Sequence, residues 1–115
     1  MSWIPLWFKV LFCPVRERMV EVKNVSPSPS YGGSAIADWE SYKGIRATLC
    51  SRCAKPFDNE DDKVGGHVVK RYGSSIDQYI VPLCKQCNNR TIVDYYNVDE
   101  SLMVRVKDLK RRFKN

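Results

Sequence analysis

The sequence predicts a small α+β domain that is held together by a metal ion. Two cysteine pairs with identical spacing, Cys50-Ser-Arg-Cys53 and Cys84-Lys-Gln-Cys87, offer four thiol ligands. Between the pairs, stretches rich in β-branched and aromatic residues indicate two β-strands joined by a glycine-containing turn. After the second pair, apolar residues at helical spacing indicate a C-terminal helix that carries many basic side chains. We therefore expect a hairpin and a helix built around one metal site.

Length and composition exclude several classes of protein. A chain of 115 residues with 43% hydrophobic and 28% charged residues is too apolar for full disorder and too short for a two-domain enzyme. A chain of this size buries only about two-thirds of its unfolded surface, so a metal or disulfide staple would help it fold. The formal net charge is +6, and residues 105–115 hold six basic side chains and one acidic one. This charge at the C-terminal end favours an anionic partner.

We interpret the four paired cysteines as ligands of a structural zinc ion. A disulfide framework needs an oxidising compartment and usually an even number of cysteines, whereas this chain has five. The apolar N-terminus has no preceding basic segment and no small-residue cleavage site, so we expect a cytoplasmic protein that does not enter a membrane. Four thiolates complete a tetrahedral zinc site without an open position for water, which makes the site structural. The fifth cysteine, Cys13, is expected to be a small buried hydrophobic residue.

Four segments are predicted along the chain. They are an N-terminal β-hairpin that packs on the core (1–25), a linker with a short helix at 35–42 (26–48), the zinc-binding core (49–96) and a basic amphipathic helix (97–115). In the last segment, Asn97 is the expected N-cap and Glu100 completes a capping box. The apolar stripe of that helix comprises Leu102, Val106, Leu109 and Phe113.

The predicted order of a cysteine knuckle, a β-hairpin and a helix that begins at the second cysteine pair is that of a treble clef. Within that class, the motifs LCSRC, GGHVV and IVPLCKQCNNR resemble the HNH nuclease family, in the form with a four-cysteine zinc site. The resemblance covers about residues 49–91. It implies that His67 takes the place of the general base and that Asn88 takes the last motif position, which binds a catalytic divalent ion. Such small HNH-like proteins are similar to ones encoded by bacteria and their phages.

Two positions depart from the family pattern. Gly66 stands where the family has an aspartate metal ligand, and Tyr79 stands where it has the middle asparagine. A Mg²⁺-type ion prefers several oxygen ligands, so one amide oxygen makes a poor site unless Asp61 or Asp62 contributes. We therefore expect a module that does not catalyse. His67 can equally be a structural side chain that bridges the hairpin to backbone carbonyls.

The basic residues of the last segment are the candidate nucleic-acid contacts. They are Arg105, Lys107, Lys110, Arg111, Arg112 and Lys114. Cations clustered on a helix above an apolar stripe form the electrostatic pattern expected for phosphate contacts. They can also be no more than a solvated helix end, where cations suit the helix dipole.

Three functions follow, and the fold does not decide among them. The leading hypothesis is a zinc-binding HNH-like module that binds nucleic acid, DNA rather than RNA, or a protein that handles nucleic acid. The first alternative is an active HNH endonuclease with a second divalent ion and His67 as general base. The second alternative is a protein-binding inhibitor or adaptor scaffolded by zinc, in which Trp3, Trp7 and Phe8 dock a partner. Otherwise these aromatic residues are expected to cover the core.

Overall fold

A computed structural model describes residues 18–25, 30–74, 76–89 and 92–113. The elements are β1 (Met19–Asn24), α1 (Ala35–Lys43), a 3₁₀ turn (Glu60–Asp62), β2 (Lys63–Lys70), β3 (Gln78–Cys84), β4 (Tyr96–Asp99), a second 3₁₀ turn (Glu100–Leu102), β5 (Val104–Arg105) and α2 (Val106–Phe113). The first strand of the hairpin expected at 1–25 lies outside the described residues, as do Trp3, Trp7, Phe8 and Cys13, and β1 lies where its second strand was expected. No helix in the described ranges has the length and apolar character needed to cross a bilayer.

One antiparallel sheet, in the order β4-β1-β2-β3-β5, combines strands from both ends of the described chain. The central strand β2 and its neighbour β3 form the predicted hairpin, in which Lys63 lies opposite Cys84. Strand β1 pairs with β2 on one side and with β4 on the other, where Val20 lies opposite Val98. The prediction of a small α+β domain with a hairpin between the cysteine pairs is confirmed.

Each face of the sheet carries a hydrophobic cluster. One cluster includes Val81 together with Cys50 and Cys87, so the cysteines are part of the core. The other cluster includes Ile80 and Trp39 of α1, and both helices pack on this second face. Because side chains alternate across a strand, the neighbours Ile80 and Val81 reach opposite faces. The cysteine face and the helix face are thus two separate sides of one sheet.

Helix α1 forms where the sequence predicts a short helix. The Ser34 hydroxyl caps its first turn, and Gly44 ends it with a left-handed φ of 71°. Trp39 is 1% exposed and donates its indole N–H to the carbonyl of Leu102 at 2.8 Å. This bond ties the helix to the segment that leads into β5.

The prediction of a helix from residue 97 onwards is wrong for the first half of that segment. Asn97 lies in β4 opposite Glu21 and is not an N-cap. Val98 is completely buried in the cluster on the cysteine face. The Asp99 carboxylate accepts the N–H of Ser101, which closes a 3₁₀ turn instead of an α-helix. Within the described part of this segment, the α-helix is confined to α2. The local capping pattern was overridden because the edge of β1 offered backbone pairing together with burial of an apolar side chain.

A helix was also expected to begin at the second cysteine pair, and the described residues there are not helical. Residues 85–88 form a turn, in which the N–H of Asn88 donates to the carbonyl of Cys84 at 3.0 Å. Residues 92–95 approach β4 without forming a helix. Cys84 lies opposite Lys63 at one end of β2, whereas Tyr96 lies level with Lys70 at the other end, so the chain has to travel roughly 14 Å across the strands and roughly 23 Å along them. An extended path covers this distance more readily than a helix, which rises only about 1.5 Å per residue.

Candidate metal centre

The first cysteine pair lies in a tight turn between α1 and β2. The N–H of Cys50 donates to the carbonyl of Lys55 at 3.0 Å, and the N–H of Ala54 donates to the carbonyl of Cys50 at 2.9 Å. Ala54 has a φ of 63°, the left-handed conformation that closes the turn. The turn places the thiols of Cys50 and Cys53 side by side, as the spacing predicts.

The second pair spans the end of β3 and the turn that follows. Cys84 is the last residue of β3. The N–H of Ser51 donates to the carbonyl of Pro82 at 2.9 Å, which attaches the first cysteine turn to this strand. From β1, the side-chain amide of Asn24 donates to the carbonyl of Cys87 at 2.9 Å. Three separate parts of the chain therefore position the two pairs.

The four thiols form a single cluster. The sulfur atoms of Cys50, Cys53, Cys84 and Cys87 all lie within 4.8 Å of one another, and those of Cys53 and Cys84 are 4.0 Å apart. Four sulfurs bound tetrahedrally at about 2.3 Å from one ion would lie roughly 3.8 Å apart, so a small contraction would fit an ion. None of the four forms a disulfide. The cluster could hold a metal ion, and its donors suit an ion that prefers sulfur.

The thiols differ in how readily they ionise. Burial raises the pKa of the Cys87 thiol to about 12. Burial also acts to raise the pKa of Cys50, but backbone hydrogen bonds from Cys53, Cys84 and Arg52 outweigh it and leave this pKa below its usual value. A bound cation would favour the thiolate form at every ligand, because the ligands release their protons when a metal binds.

A guanidinium group lies beside the cluster. Nη1 of Arg52 is 3.5 Å from the sulfur of Cys87, and the guanidinium lies over the ring of Tyr96 at 5.4 Å from its centroid. The Tyr96 hydroxyl donates to the side-chain carbonyl of Asn24. With a divalent ion bound, the four thiolates would carry a charge of about −2, which the Arg52 cation would partly offset. The sequence shows Arg52 within the first pair, whereas only the fold brings it to a thiol of the second.

A cleft of about 1220 Å³ lies beside the turn that carries the second pair. Its lining includes His67, Asn88 and Asp61. The His67 side chain is 6% exposed, and its Nε2 lies 2.8 Å from Oε1 of Gln78. The structure thus brings the predicted general base and the last motif residue to one cleft, together with a carboxylate of the acidic loop.

The space beside Gly66 is filled. A Cβ atom at Gly66 would lie 3.3 Å from Oδ1 of Asn88, but only 2.2 Å from Cδ1 of Leu83. Leu83 is completely buried and has little freedom to move away. Tyr79, the other departure from the family pattern, is 8% exposed and belongs to the hydrophobic cluster on the cysteine face. Neither position offers an oxygen ligand to the cleft.

Three of the predicted basic residues share the outer side of α2. Lys107, Lys110 and Arg111 are exposed and lie three and four positions apart, which places them on one face of a helix. Leu109 on the opposite side is completely buried in the cluster on the helix face. The helix therefore presents a row of cations while its apolar side holds it against the sheet.

The other predicted basic residues lie elsewhere. Arg105 belongs to β5, and a hydrogen bond to the Tyr79 hydroxyl raises the pKa of its guanidinium. Arg112 turns to the side of α2, where it lies 6.0 Å from the ring centroid of Tyr42. Lys114 is outside the described residues. The six predicted contacts are therefore not one continuous helical row.

Comparisons of this chain with family models, with characterised proteins and with solved structures find no match. The resemblance of three short motifs to the HNH family therefore stands on the motifs alone. The function has to be argued from the thiol cluster, the cleft and the basic helix of this chain.

Proposed function

We propose that this protein is a zinc-binding module that binds nucleic acid, preferably DNA, through the outer side of α2. One observation carries the proposal: Lys107, Lys110 and Arg111 form an exposed row on a helix that is anchored by a buried leucine. Cations fixed on a rigid support lose less freedom on binding than cations of a mobile tail. Each can neutralise a phosphate and release a counterion.

Zinc is the ion that we propose for the four-cysteine cluster. Four thiolates and a tetrahedral geometry are the usual structural zinc site, and zinc bound in this way has no coordination position left for a substrate. The ion would contribute folding free energy and would hold the first cysteine turn against β3. Free thiols persist in a reducing compartment, which supports a cytoplasmic location.

The cleft supports a module that resembles the HNH family without its catalysis. The knuckle and the hairpin correspond to the first two parts of a treble clef, and the turn at 85–88 stands where its helix would begin. Leu83 fills the space that an aspartate at Gly66 would need. Asn88 then lacks the carboxylate partner that the family pattern supplies from this position, and a Mg²⁺-type ion prefers several oxygen ligands.

The outer side of α2 predicts a specific salt dependence. We expect Lys107→Gln/Lys110→Gln to weaken duplex DNA binding and to lower the magnitude of the negative slope of log K against log salt by about 0.9 for each phosphate that is no longer neutralised. The measurement is fluorescence anisotropy over a salt series. Lys55→Gln/Lys85→Gln is the matched control, because it removes the same charge from exposed lysines elsewhere. Equal slopes for the parent protein and both variants would mean that the cations of α2 are solvated and do not contact phosphates.

A metal-dependent endonuclease is the second candidate, because His67, Asn88 and Asp61 line the same cleft. A carbonyl oxygen can only accept a hydrogen bond, so the contact with Oε1 of Gln78 requires a proton on Nε2 of His67. The nitrogen that would have to remove a proton from water is then Nδ1. Nearby carboxylates of the acidic loop would have to supply the oxygen ligands that Gly66 lacks.

Incubation with supercoiled plasmid separates the two candidates. With Mg²⁺, Mn²⁺ or Ni²⁺ present, we expect no nicking above that of a His67→Ala protein prepared in the same way. The reason is the missing ligand at Gly66, which leaves no ion to stabilise the charge on the phosphate during attack. Nicking that requires a divalent ion and disappears in His67→Ala would instead establish the nuclease.

A further inference from the structure

Aromatic and cationic side chains stack on each other at the β1–β4 side of the sheet. The guanidinium of Arg71 lies 4.9 Å from the ring centroid of Tyr95 and 5.3 Å from that of Tyr72. Nζ of Lys23 lies 5.4 Å from the centroid of Tyr95. We call these four residues, Lys23, Arg71, Tyr72 and Tyr95, the tyrosine–cation surface.

Strand register places this surface on the helix face of the sheet. Val22 belongs to the cluster on the cysteine face, so its neighbours Glu21 and Lys23 point to the other face. The N–H of Arg71 donates to the carbonyl of Glu21 at 2.8 Å, which sets the end of β2 beside this strand. Helices α1 and α2 pack mainly on β2, β3 and β5. In the described ranges, the helices therefore pack beside, and not on, the part of the helix face that β1 and β4 form.

The two tyrosine rings are open to solvent. Tyr72 is 72% exposed and Tyr95 is 39% exposed, and neither belongs to a hydrophobic cluster of the described residues. Grouped aromatic rings at a surface favour contact with a partner, because burial of each ring removes a large apolar area from water. Because neither ring belongs to a core cluster of the described residues, we expect the fold to survive their removal.

The charges of this surface favour an anionic partner. Lys23 and Arg71 bring two cations, and the carboxylate of Glu21 pairs with Arg71 at 2.8 Å. This ion pair helps to hold the guanidinium group close to both rings. A net positive charge remains at Lys23, next to the ring of Tyr95. Flat rings that alternate with cations offer both stacking and phosphate contacts.

We propose that the tyrosine–cation surface binds single-stranded nucleic acid. Bases stack on Tyr72 and Tyr95, and the backbone phosphates contact Lys23 and Arg71, since aromatic stacking and a positive surface are the two means by which proteins hold single strands of any sequence. A duplex keeps its bases stacked inside and has little use for these rings. The proposal rests on the proposed function in that the ligand is a nucleic acid, but it uses different residues from those of α2.

Two oligonucleotides and the full-length zinc-loaded protein test this surface. We expect Tyr72→Ala/Tyr95→Ala to weaken binding of a fluorescent oligo-dT by roughly tenfold or more, because removal of the ring beneath one stacked base costs at least about fivefold. Binding of a fluorescent duplex should change by less than about twofold, because phosphate contacts dominate there. Tyr72→Phe/Tyr95→Phe keeps both rings and should bind oligo-dT as the parent protein does.

A second tyrosine pair provides the matched control. Tyr31→Ala/Tyr42→Ala removes two rings from a different part of the described chain, and their exposures of 37% and 40% match the 39% of Tyr95. An equal loss of oligo-dT binding in this control, or no loss in Tyr72→Ala/Tyr95→Ala, would overturn the single-strand site while duplex binding through α2 still stands. Failure to bind either oligonucleotide would remove the proposed function as well. Competition of oligo-dT by polyglutamate at equal charge would show that the surface takes any acidic chain, which also overturns a base-stacking site.

Discussion

Cys53→Ser is expected to abolish metal binding and cooperative unfolding of the domain. A serine hydroxyl is a poor replacement for a thiolate, and a structural zinc site contributes on the order of 10 kcal/mol to folding. Cys50 and Cys87 belong to the same hydrophobic cluster as Val22 and Val81, so the metal site and the core must form together. Elemental analysis and thermal unfolding followed by circular dichroism measure both effects.

The fifth cysteine gives the control for this experiment. Cys13→Ala should keep a full equivalent of zinc, because four ligands complete the tetrahedral site. A Cys53→Ser protein with an unchanged melting temperature would contradict the structural role of the metal. So would a parent protein that holds less than about half an equivalent of zinc after purification.

Gly65→Ala is expected to separate α1 from the sheet. A Cβ atom at Gly65 would lie 2.7 Å from the carbonyl carbon of Ala35, from its Cβ and from the backbone nitrogen of Ile36. Two of these atoms belong to the helix backbone, which cannot yield as a flexible side chain does. We expect a loss of about 2–3 kcal/mol in the free energy of unfolding, typical of overpacking at a close approach.

A double-mutant cycle tests the cause of that loss. In an Ala35→Gly background, one of the three atoms that the new methyl group would meet is absent. The cost of Gly65→Ala should therefore be smaller there than in the parent protein, with an interaction energy between the two positions of about 0.5 kcal/mol or more. Urea unfolding curves measure all four free energies. If the free-energy changes of Gly65→Ala and Ala35→Gly simply add in the double variant, the strain does not arise from the contact with Ala35 of α1.

The cysteine cluster could be predicted from sequence because its geometry is mainly local. Each Cys-x-x-Cys pair closes within one short turn, as the bonds around Cys50 and Cys84 show. The hairpin between the pairs was predicted as well, since β2 and β3 are consecutive along the chain and pair directly. The ion itself and the function remain proposals, because the arrangement of four thiols alone does not identify them.

The C-terminal half of the fold could not be predicted in this way. Asn97 and Glu100 make a sound local pattern for a helix start, yet Asn97 pairs with Glu21 in a strand 76 positions away along the chain (97 minus 21). That choice depends on the free edge of β1, which no local pattern reveals. The apolar spacing did predict the buried side of α2, because a helix satisfies its backbone from its own residues.

Long-range register also decided the surroundings of the site. Arg52 reaches a thiol that is 35 positions away in the sequence. Arg71 contacts the rings of Tyr72 and Tyr95, which precede and follow the second cysteine pair in the sequence. Spacing along the chain determined which residues can act together within one turn or one helix. Only the order β4-β1-β2-β3-β5 determined which of these units meet. The physical reason is that hydrogen bonds between strands join residues without regard to their separation in sequence, whereas turns and helices join near neighbours.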